Sequence, residues 1–525
     1  MGLEQRTLWG RLAAAIPALC FCTIGCTLIP YPGIQNDEAL FAPAIYGQPG
    51  MAYEVSLLGI RIPLMVMSYV GALKSWLYAI VFAVWHPSVW STRIPVVLIG
   101  TATVWLFCLL LAKISGIRAA VIGSAILATD CLFLLTTCFD WGPVAIQHLL
   151  LVAAMLLFVR FHESGSAKAL AAGAFCLGLG LWDKAIFAWS IAGLAAACLA
   201  VCPRALMRRF SLRHAGIAAA SFVVGALPLV IYNVVHPLET VKGNASQAGL
   251  NLVGKFSYLI HSLDGSALFG YLVPVPVGEP FFFQRTLLPW TVAASLLALP
   301  LLWRTAARPA MLFAVVFGAA GWFAMAVCGG GGSVHHTVLL WPMPQLLVAV
   351  TLAGISERLK RFGKVVASAV TVLVVASNLL VLGQYGKQLS RRELTTVWTD
   401  AIFPLAGYLE TMRGYRQVTM DWGIVNSLCL LKKCTLPSAI GTGYLSGDSL
   451  EATGLKGVAE MMADGRNIYI SHIPGAEVFA RENERFRTIA RDNGYRRDIL
   501  RVIHDGRGRP VFEVYRLRPA DGPER

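Results

Sequence analysis

Apolar and polar positions along the chain fall into long blocks, not into the short alternations of a half-buried strand or surface helix. Runs of about 20 apolar residues, the length a helix needs to cross a bilayer core, lie near 11–30, 91–112, 117–137, 143–160, 167–182, 185–202, 214–235, 287–303, 309–328, 335–354 and 363–383. Eleven membrane spans are expected. The links between them alternate in charge: Lys113 and Arg118, Arg160 and Lys168, then Arg204, Arg208, Arg209 and Arg213, then Arg304 and Arg308, then Arg358, Lys360, Arg361 and Lys364 share one side. By the positive-inside rule that side is the cytoplasm. The segment "PLMVMSYVGALKSWLYAIVFAVWHP", residues 63–87, is apolar enough to break this order, because crossing there would turn every later basic loop outward. It is therefore expected to be interfacial or re-entrant, as Lys74, Trp76, Trp85 and the bounding Pro63 and Pro87 favour.

The outer face then receives residues 31–90, the turns "FDWGP" and "WDK", a long loop 236–286, the turn "CGGGGSVHH", and everything after about 384. Residues 384–525 lose the long apolar runs. There "YRQVTM" and "NIYISHI" read as strands, "WGIVNSLCLLKK" as a helix, and "GAEVFARENERFRTIARDNG" as an amphipathic helix ending at Asn-Gly. "RDILRVIHD", "GRG" and "RPVFEVYRLRP" read as a β-hairpin. The expected fold is a polytopic α-helical membrane domain, residues 1–383, with interfacial helices in its outer loops, followed by a small α/β domain outside the membrane, residues 384–525. The first apolar run carries Pro17 and no small-residue cleavage site, so it reads as a retained helix with a cytoplasmic N-terminus.

Composition supports this picture: 56% of the 525 residues are hydrophobic and 14% charged, far from a soluble globular balance. The net charge of +15 sits at the ends of apolar runs, so it reads as topology, and no nucleic-acid partner is expected. Most of the twelve cysteines lie inside apolar runs, where Cys acts as a small hydrophobe. Cys429 and Cys434 are in a polar region, and on one continuous helix they fit disulfide geometry poorly unless the helix ends between them.

Candidate chemistry gathers in the outer turns. Asp37 and Glu38 stand in "IPYPGIQNDEALFAPAIYGQPG", directly after the first span. They fit either the cap and first turn of an amphipathic helix "EALFAPAIY" or an acid placed for chemistry beside the lipid surface. Asp140 of "CFDWGPVA" fits a helix cap before Pro143 or a second functional acid. Asp130 fits either an early helix end or an intramembrane acid with a partner. His335 and His336 follow the flexible "GGGGS" and suit a divalent metal or a phosphate donor contact. Adjacent helical residues diverge by about 100°, so one functional histidine is expected, with His335 the candidate metal ligand and His336 the candidate substrate contact. "DWG" recurs at 421–423, where it reads as a strand-to-helix turn.

The order of these pieces carries a resemblance. A first helix and an Asp-Glu outer loop are followed by "WSTRIPVVLIGTATVWLF", "FDWGP", "GLGLWDKAIFAW" and "HHTVLLWPMPQLLVA", before an outer soluble domain. By this layout residues 5–385 resemble the GT-C glycosyltransferases, in the bacterial branch similar to dolichyl-phosphate-mannose protein mannosyltransferases and lipid A aminoarabinose transferases. The resemblance implies transfer of a sugar from a polyprenyl (undecaprenyl) phosphate carrier to a glycan, lipid or protein acceptor at the periplasmic face of a bacterial inner membrane, with inversion. It implies catalytic roles for Asp37, Glu38 and Asp140, and phosphate contacts for Lys184 and Arg285, a point charge and a bidentate donor respectively. The competing readings are a secondary transporter, whose inverted repeats are absent here, and a non-catalytic assembly subunit.

Overall fold

In a bilayer core the backbone has no water to bond, so an apolar segment closes its hydrogen bonds internally as a helix. The computed structural model describes residues 3–47, 53–204, 208, 210–245, 251–275, 284–328, 331–446 and 452–520. Arg209 and parts of the outer turns 236–286 and "CGGGGSVHH" lie outside the described residues. Five described helices are long and apolar enough to cross a membrane: Val89–Thr129, Ala145–Ser164, Arg308–Val327, Val334–Arg358 and Lys360–Ser390. The pair Leu212–Gly225 and Leu227–Val235, bent by 70°, adds a sixth if it is one span. Several expected spans are shorter apolar helices here, among them Ala185–Val201 and Leu288–Leu297.

We label the first elements α1 (Leu3–Leu28), α2 (Asn36–Ala39), α3 (Ala42–Tyr46), α4 (Leu73–Val84), α5 (Val89–Thr129), α6 (Cys131–Cys138), α7 (Ala145–Ser164) and α8 (Ala167–Asp183). At 41 residues, α5 would run to about 61 Å if straight, roughly twice a bilayer core. It breaks at Gly116 (φ 81°, ψ 174°), between the apolar runs 91–112 and 117–137. A further break at Asp130 settles where that acid sits. Its Oδ1 caps α6 by accepting from Phe133 N at 2.8 Å, and its Oδ2 accepts from Trp341 Nε1 (3.1 Å) and Gln345 Nε2 (2.8 Å). Asp130 is buried, and these hydrogen-bond partners are neutral donors.

The first outer loop differs from the expectation of amphipathic helices alone. "EALFAPAIY" is divided between α2 and α3, with Pro43 in the first turn of α3. Strands β1 (Tyr53–Leu57), β2 (Ile60–Met67) and β3 (Val70–Gly71) form an antiparallel sheet. Leu58 and Gly59 both have positive φ and close the two-residue β1–β2 hairpin, whose right-handed twist requires such a turn. The segment 63–87 therefore contains the end of β2, β3, and α4, whose 12 residues extend about 18 Å, too short to cross.

The C-terminal part is built around β4 (Arg416–Thr419), β5 (Ser438–Ile440), β6 (Asn467–His472), β7 (Tyr495–His504) and β8 (Pro510–Pro519), in the order β5-β4-β6-β8-β7. β4 pairs parallel with β5 and β6, and β8 is antiparallel to β6 and β7. β4, β6, the helix Ala480–Asp492 and the β7–β8 hairpin fall where the sequence pattern put them, while the three-residue β5 is an addition the pattern does not mark. The helix Val425–Lys432, here the docking helix, ends before Lys433 in a left-handed conformation, and Cys429 and Cys434 are joined as a disulfide. Its Cys429 and Leu430 bury against Ile34, Ala39, Phe41, Ala42 and Tyr78 of the first outer loop and α4. At Gly33 a Cβ would stand 1.8 Å from the Thr399 carbonyl oxygen, while Gly33 N donates to Trp398 O at 3.1 Å. Glycine is required by that approach. The C-terminal domain thus packs directly on the loop that carries Asp37 and Glu38.

Candidate active site

The two adjacent acids take opposite positions. The N-cap of α2 is Gln35, whose Oε1 accepts from Asp37 N at 2.6 Å, not Asp37 as the capping reading has it. Glu38 reaches back from the first turn to Gln35 N (2.9 Å), completing a capping box. The Glu38 carboxylate is also gripped by Arg93 of α5, with Oε1 at 2.6 Å from Nη2 and Oε2 at 2.9 Å from Nε. Arg93 donates further to Ile29, Pro32 and Gly33 carbonyls at 2.7, 2.9 and 3.0 Å, and both side chains are buried. A carboxylate so engaged has little left to offer an incoming hydroxyl. Glu38, paired with Asp37 for chemistry in the sequence pattern, is placed to fix the shape of the loop.

Asp37 is half-buried, and among the described residues the side-chain hydrogen bond to its carboxylate is a long one from Asn36 Nδ2, 3.4 Å from Oδ1. Burial pushes its pKa up; Lys184, Asn36 and Lys74 oppose the shift, and Asp140 adds to it. Tyr69 and Tyr271 face the same carboxylate, and burial, reinforced by Asp37, pushes both phenols up.

Asp140 is buried in the turn between α6 and α7 with φ 43°, a conformation in which Asp is enriched among non-glycine residues. Its Oδ1 accepts from Val144 and Ala145 amides, each at 3.0 Å, as a cap for α7, and its Oδ2 lies 2.6 Å from Lys74 Nζ. Lys74 also donates to Glu38 O at 3.1 Å and sits 4.6 Å from the Phe41 ring centroid. Lys184, at the end of α8, donates to Gly142 O at 2.8 Å. Burial pushes its pKa down, opposed by Asp37, Asp183 and Asp140. The "DWG" turn is therefore held by two buried lysines, one on Asp140 and one on Gly142. Ammonium groups carry three donors, so these bonds leave one on Lys74 and two on Lys184.

His335 packs on Gly142, where a Cβ would lie 2.6 Å from its ring, and Trp141 stands between His335 and a stacked Tyr271. His336 is 4.2 Å from His335 centroid to centroid and edges Trp189. Ser333 Oγ lies within 3.2 Å of both histidines. Among the described residues, no three His, Cys, Asp or Glu side chains converge as a metal site. Among the described residues, no hydrogen bond brings Arg285 into this cluster. It is exposed and pairs with Asp264 at 3.6 Å.

Lys74 and Arg93 were not foreseen as site residues. Both are cations on the side expected to be outer, where the positive-inside rule disfavours them, and that exception is the available signal.

This constellation, an acid beside a buried two-lysine cluster, lies beneath the C-terminal α/β domain. Residues 70–232 match the family model described as dolichyl-phosphate-mannose-protein mannosyltransferase. The chain is similar over 99% of its length, and 100% of the other chain, to ArnT from Cupriavidus metallidurans bound to undecaprenyl phosphate, with TM-score 0.60 and 12% identity. The apo form of that protein aligns with TM-score 0.61 and 14% identity, covering 99% of each chain. The archaeal oligosaccharyltransferase AglB from Archaeoglobus fulgidus, in complex with an inhibitory peptide and a dolichol-phosphate, aligns over 98% of this chain and 75% of its own, with TM-score 0.54 and 11% identity. At these identities the likeness to the solved structures is one of fold. None of the curated protein sequences matches the chain.

Proposed function

We propose that the protein is an inverting glycosyltransferase that takes a sugar from a polyprenyl-phosphate carrier and passes it to an acceptor hydroxyl at the outer face of a bacterial inner membrane. The observation that carries the reading is the half-open carboxylate of Asp37 beside Lys74 and Lys184, whose spare donors suit a single phosphate. In this reading Asp37 takes the proton as the acceptor oxygen attacks the anomeric carbon. The bond from that carbon to the phosphate oxygen breaks on the opposite side, and the departing phosphate keeps the electron pair. The lysines meet its negative charge, and being buried they act where electrostatic stabilisation is strong. A carboxyl with a raised pKa is a better-matched base near neutral pH than an ordinary one. Asp140 holds Lys74 in place, Glu38 and Arg93 hold the loop, and His336 contacts the donor headgroup or acceptor, with His335 packed behind it. Arg285 serves at most at the rim. We read eleven spans, a cytoplasmic N-terminus, and a domain boundary at 383/384 with the C-terminal domain periplasmic. Mannosyltransferase-type chemistry is supported by the family match, and an undecaprenyl carrier by the fold shared with ArnT.

Purified protein incubated with labelled undecaprenyl-phosphate sugars and bacterial membrane extract, with and without EDTA, tests the reading. Transfer of label, or slow hydrolysis without an acceptor, is expected, with no dependence on chelator. Counterflow of a solute across proteoliposomes without any transfer would instead support the transporter reading.

A further inference from the structure

Among the described residues, the side-chain hydrogen bond to the Asp37 carboxylate comes from Asn36, and Asn36 is in turn held from the other end of the chain. Asn426, in the first turn of the docking helix, donates from Nδ2 to Asn36 Oδ1 at 2.9 Å. Next to it Ser427 Oγ donates to Ile34 O at 3.1 Å, and Gly423 lies against Asn36, a Cβ there coming within 4.0 Å of the Asn36 Cβ. A carboxamide has an accepting oxygen and a donating nitrogen on opposite arms. A donor from Asn426 fixes the Asn36 oxygen toward the C-terminal domain, which turns the Asn36 NH2 toward Asp37. We propose that Asn426 is a positioning residue for the transfer reaction: by setting the orientation of the Asn36 amide, the C-terminal domain presents a hydrogen-bond donor to Asp37 and steadies it as a carboxylate. The inference rests on the reading of Asp37 as the base, and it gives the C-terminal domain a direct part in the chemistry.

The other groups facing Asp37 come from the membrane domain. They are Lys184 at the end of α8, Lys74 on α4, Asp140 between α6 and α7, Tyr69 between β2 and β3, and Tyr271 after the helix Leu252–Leu263. None of them belongs to the docking helix, so a change at Asn426 reaches Asp37 through Asn36 and leaves these groups in place. The docking helix itself stays anchored by Ser427 and by the buried Cys429 and Leu430.

Two substitutions separate a relay from a mere packing contact. Asn426→Asp offers only acceptors, so Asn36 must turn its NH2 toward it and show its carbonyl to Asp37. A lost donor, a new acceptor and an added negative charge then act in the same direction. Asn426→Ala frees the amide without reversing it. In the full-length protein in nanodiscs, isotope-edited infrared spectroscopy would follow the protonated Asp37 carboxyl band, assigned by its loss in Asp37→Asn, alongside the pH profile of sugar transfer. The expected result is an upward move of the band's midpoint by about one pH unit in Asn426→Asp, the scale of one nearby like charge in a partly screened site. A smaller move in the same direction is expected in Asn426→Ala, and the acidic limb of the transfer profile should move with each. A midpoint unchanged in both variants, with thermal transitions like the parent's, overturns the relay; if Asp37→Asn still abolishes transfer, the base reading survives that result. A midpoint that moves while the transfer profile stays fixed supports the relay and removes Asp37 as the base.

Discussion

Two acids that are neighbours in sequence should give opposite phenotypes when neutralised. In Glu38→Gln the amide keeps one acceptor and sets an NH2 against the Arg93 guanidinium. Arg93 would then lose its counter-charge while staying buried at 0% exposure, left with the amide oxygen, the carbonyls of Ile29, Pro32 and Gly33 and the Phe139 ring. Removing one member of a buried ion pair typically costs about 3–5 kcal/mol, and the three carbonyls place the expectation at the lower end. Asp37→Asn should behave otherwise. The folded pKa of Asp37 is raised, so folding favours its neutral form; the stabilisation this gives is present at low pH and lost as pH rises through the folded value. A permanently neutral Asn removes that loss, so at neutral pH the variant should be as stable as the parent or slightly more so. Transfer should fall about a hundredfold or more, the usual scale for loss of a general base. The assay pairs thermal unfolding in detergent, read as monodisperse protein remaining after heating, with initial rates of label transfer on the surviving fraction. A Glu38→Gln protein as stable as the parent would refute the assignment of Glu38 to the loop. Near-normal transfer by a well-folded Asp37→Asn protein would refute the base and move the search to Asp140.

The donor site predicts that Lys184→Met weakens use of the carrier more than of the acceptor, by about tenfold to a hundredfold in donor affinity for one lost charge-assisted contact. Arg285→Ala should change it far less, and titration of initial rates against carrier concentration distinguishes them. Lys74→Met should lower both donor use and stability, because it strands the buried Asp140 carboxylate; donor kinetics and melting on the same sample would show whether the two fall together. Reporter fusions at residues 90, 210 and 400 should read outside, inside and outside, and an inside signal at 400 would sink the sidedness of the site. In the C-terminal domain burial pushes Asp421 up, but its 2.6 Å bond with His472 and the Phe479 and Trp422 amides outweigh burial and hold its pKa down. A depressed acid stabilises above its unfolded pKa and loses that as pH falls through the folded value, so Asp421→Asn should destabilise the protein at neutral pH and less in acid, as melting scans across pH would report.

Much of the architecture was legible because membrane helices and the C-terminal strands and helices announce themselves by local pattern. The break at Gly116 fell between two apolar runs, and the hairpin β7–β8 followed from alternation around "GRG". The first outer loop was less legible. The end of its β-branched stretch "YEVSLLGIRIPLMVM", from Pro63 on, falls in the segment expected to be interfacial, where apolar content overshadows the strand signal, a known ambiguity of short apolar runs. The site was legible in its residue types but not in their pairings. Lys74 and Arg93 broke the sidedness of positive charge, and such an exception asks for a buried acid nearby, since an unpaired cation at that depth is costly; which acid each would take was a matter of tertiary packing. The adjacency of Asp37 and Glu38 pointed to a shared role, yet one turn of helix sends neighbouring side chains in different directions, and here one meets Arg93 while the other faces the cluster. The least legible link is the one from Asn426 to Asn36, a hydrogen bond between residues 390 positions apart. No local signal marks an asparagine as the orienter of another asparagine, because the information lies in which arm of an amide faces which neighbour. That orientation exists only once the C-terminal domain has docked on the first outer loop. With Asp37 as the proposed base, the candidate base is legible in sequence, but the group that would hold it in register comes from the fold.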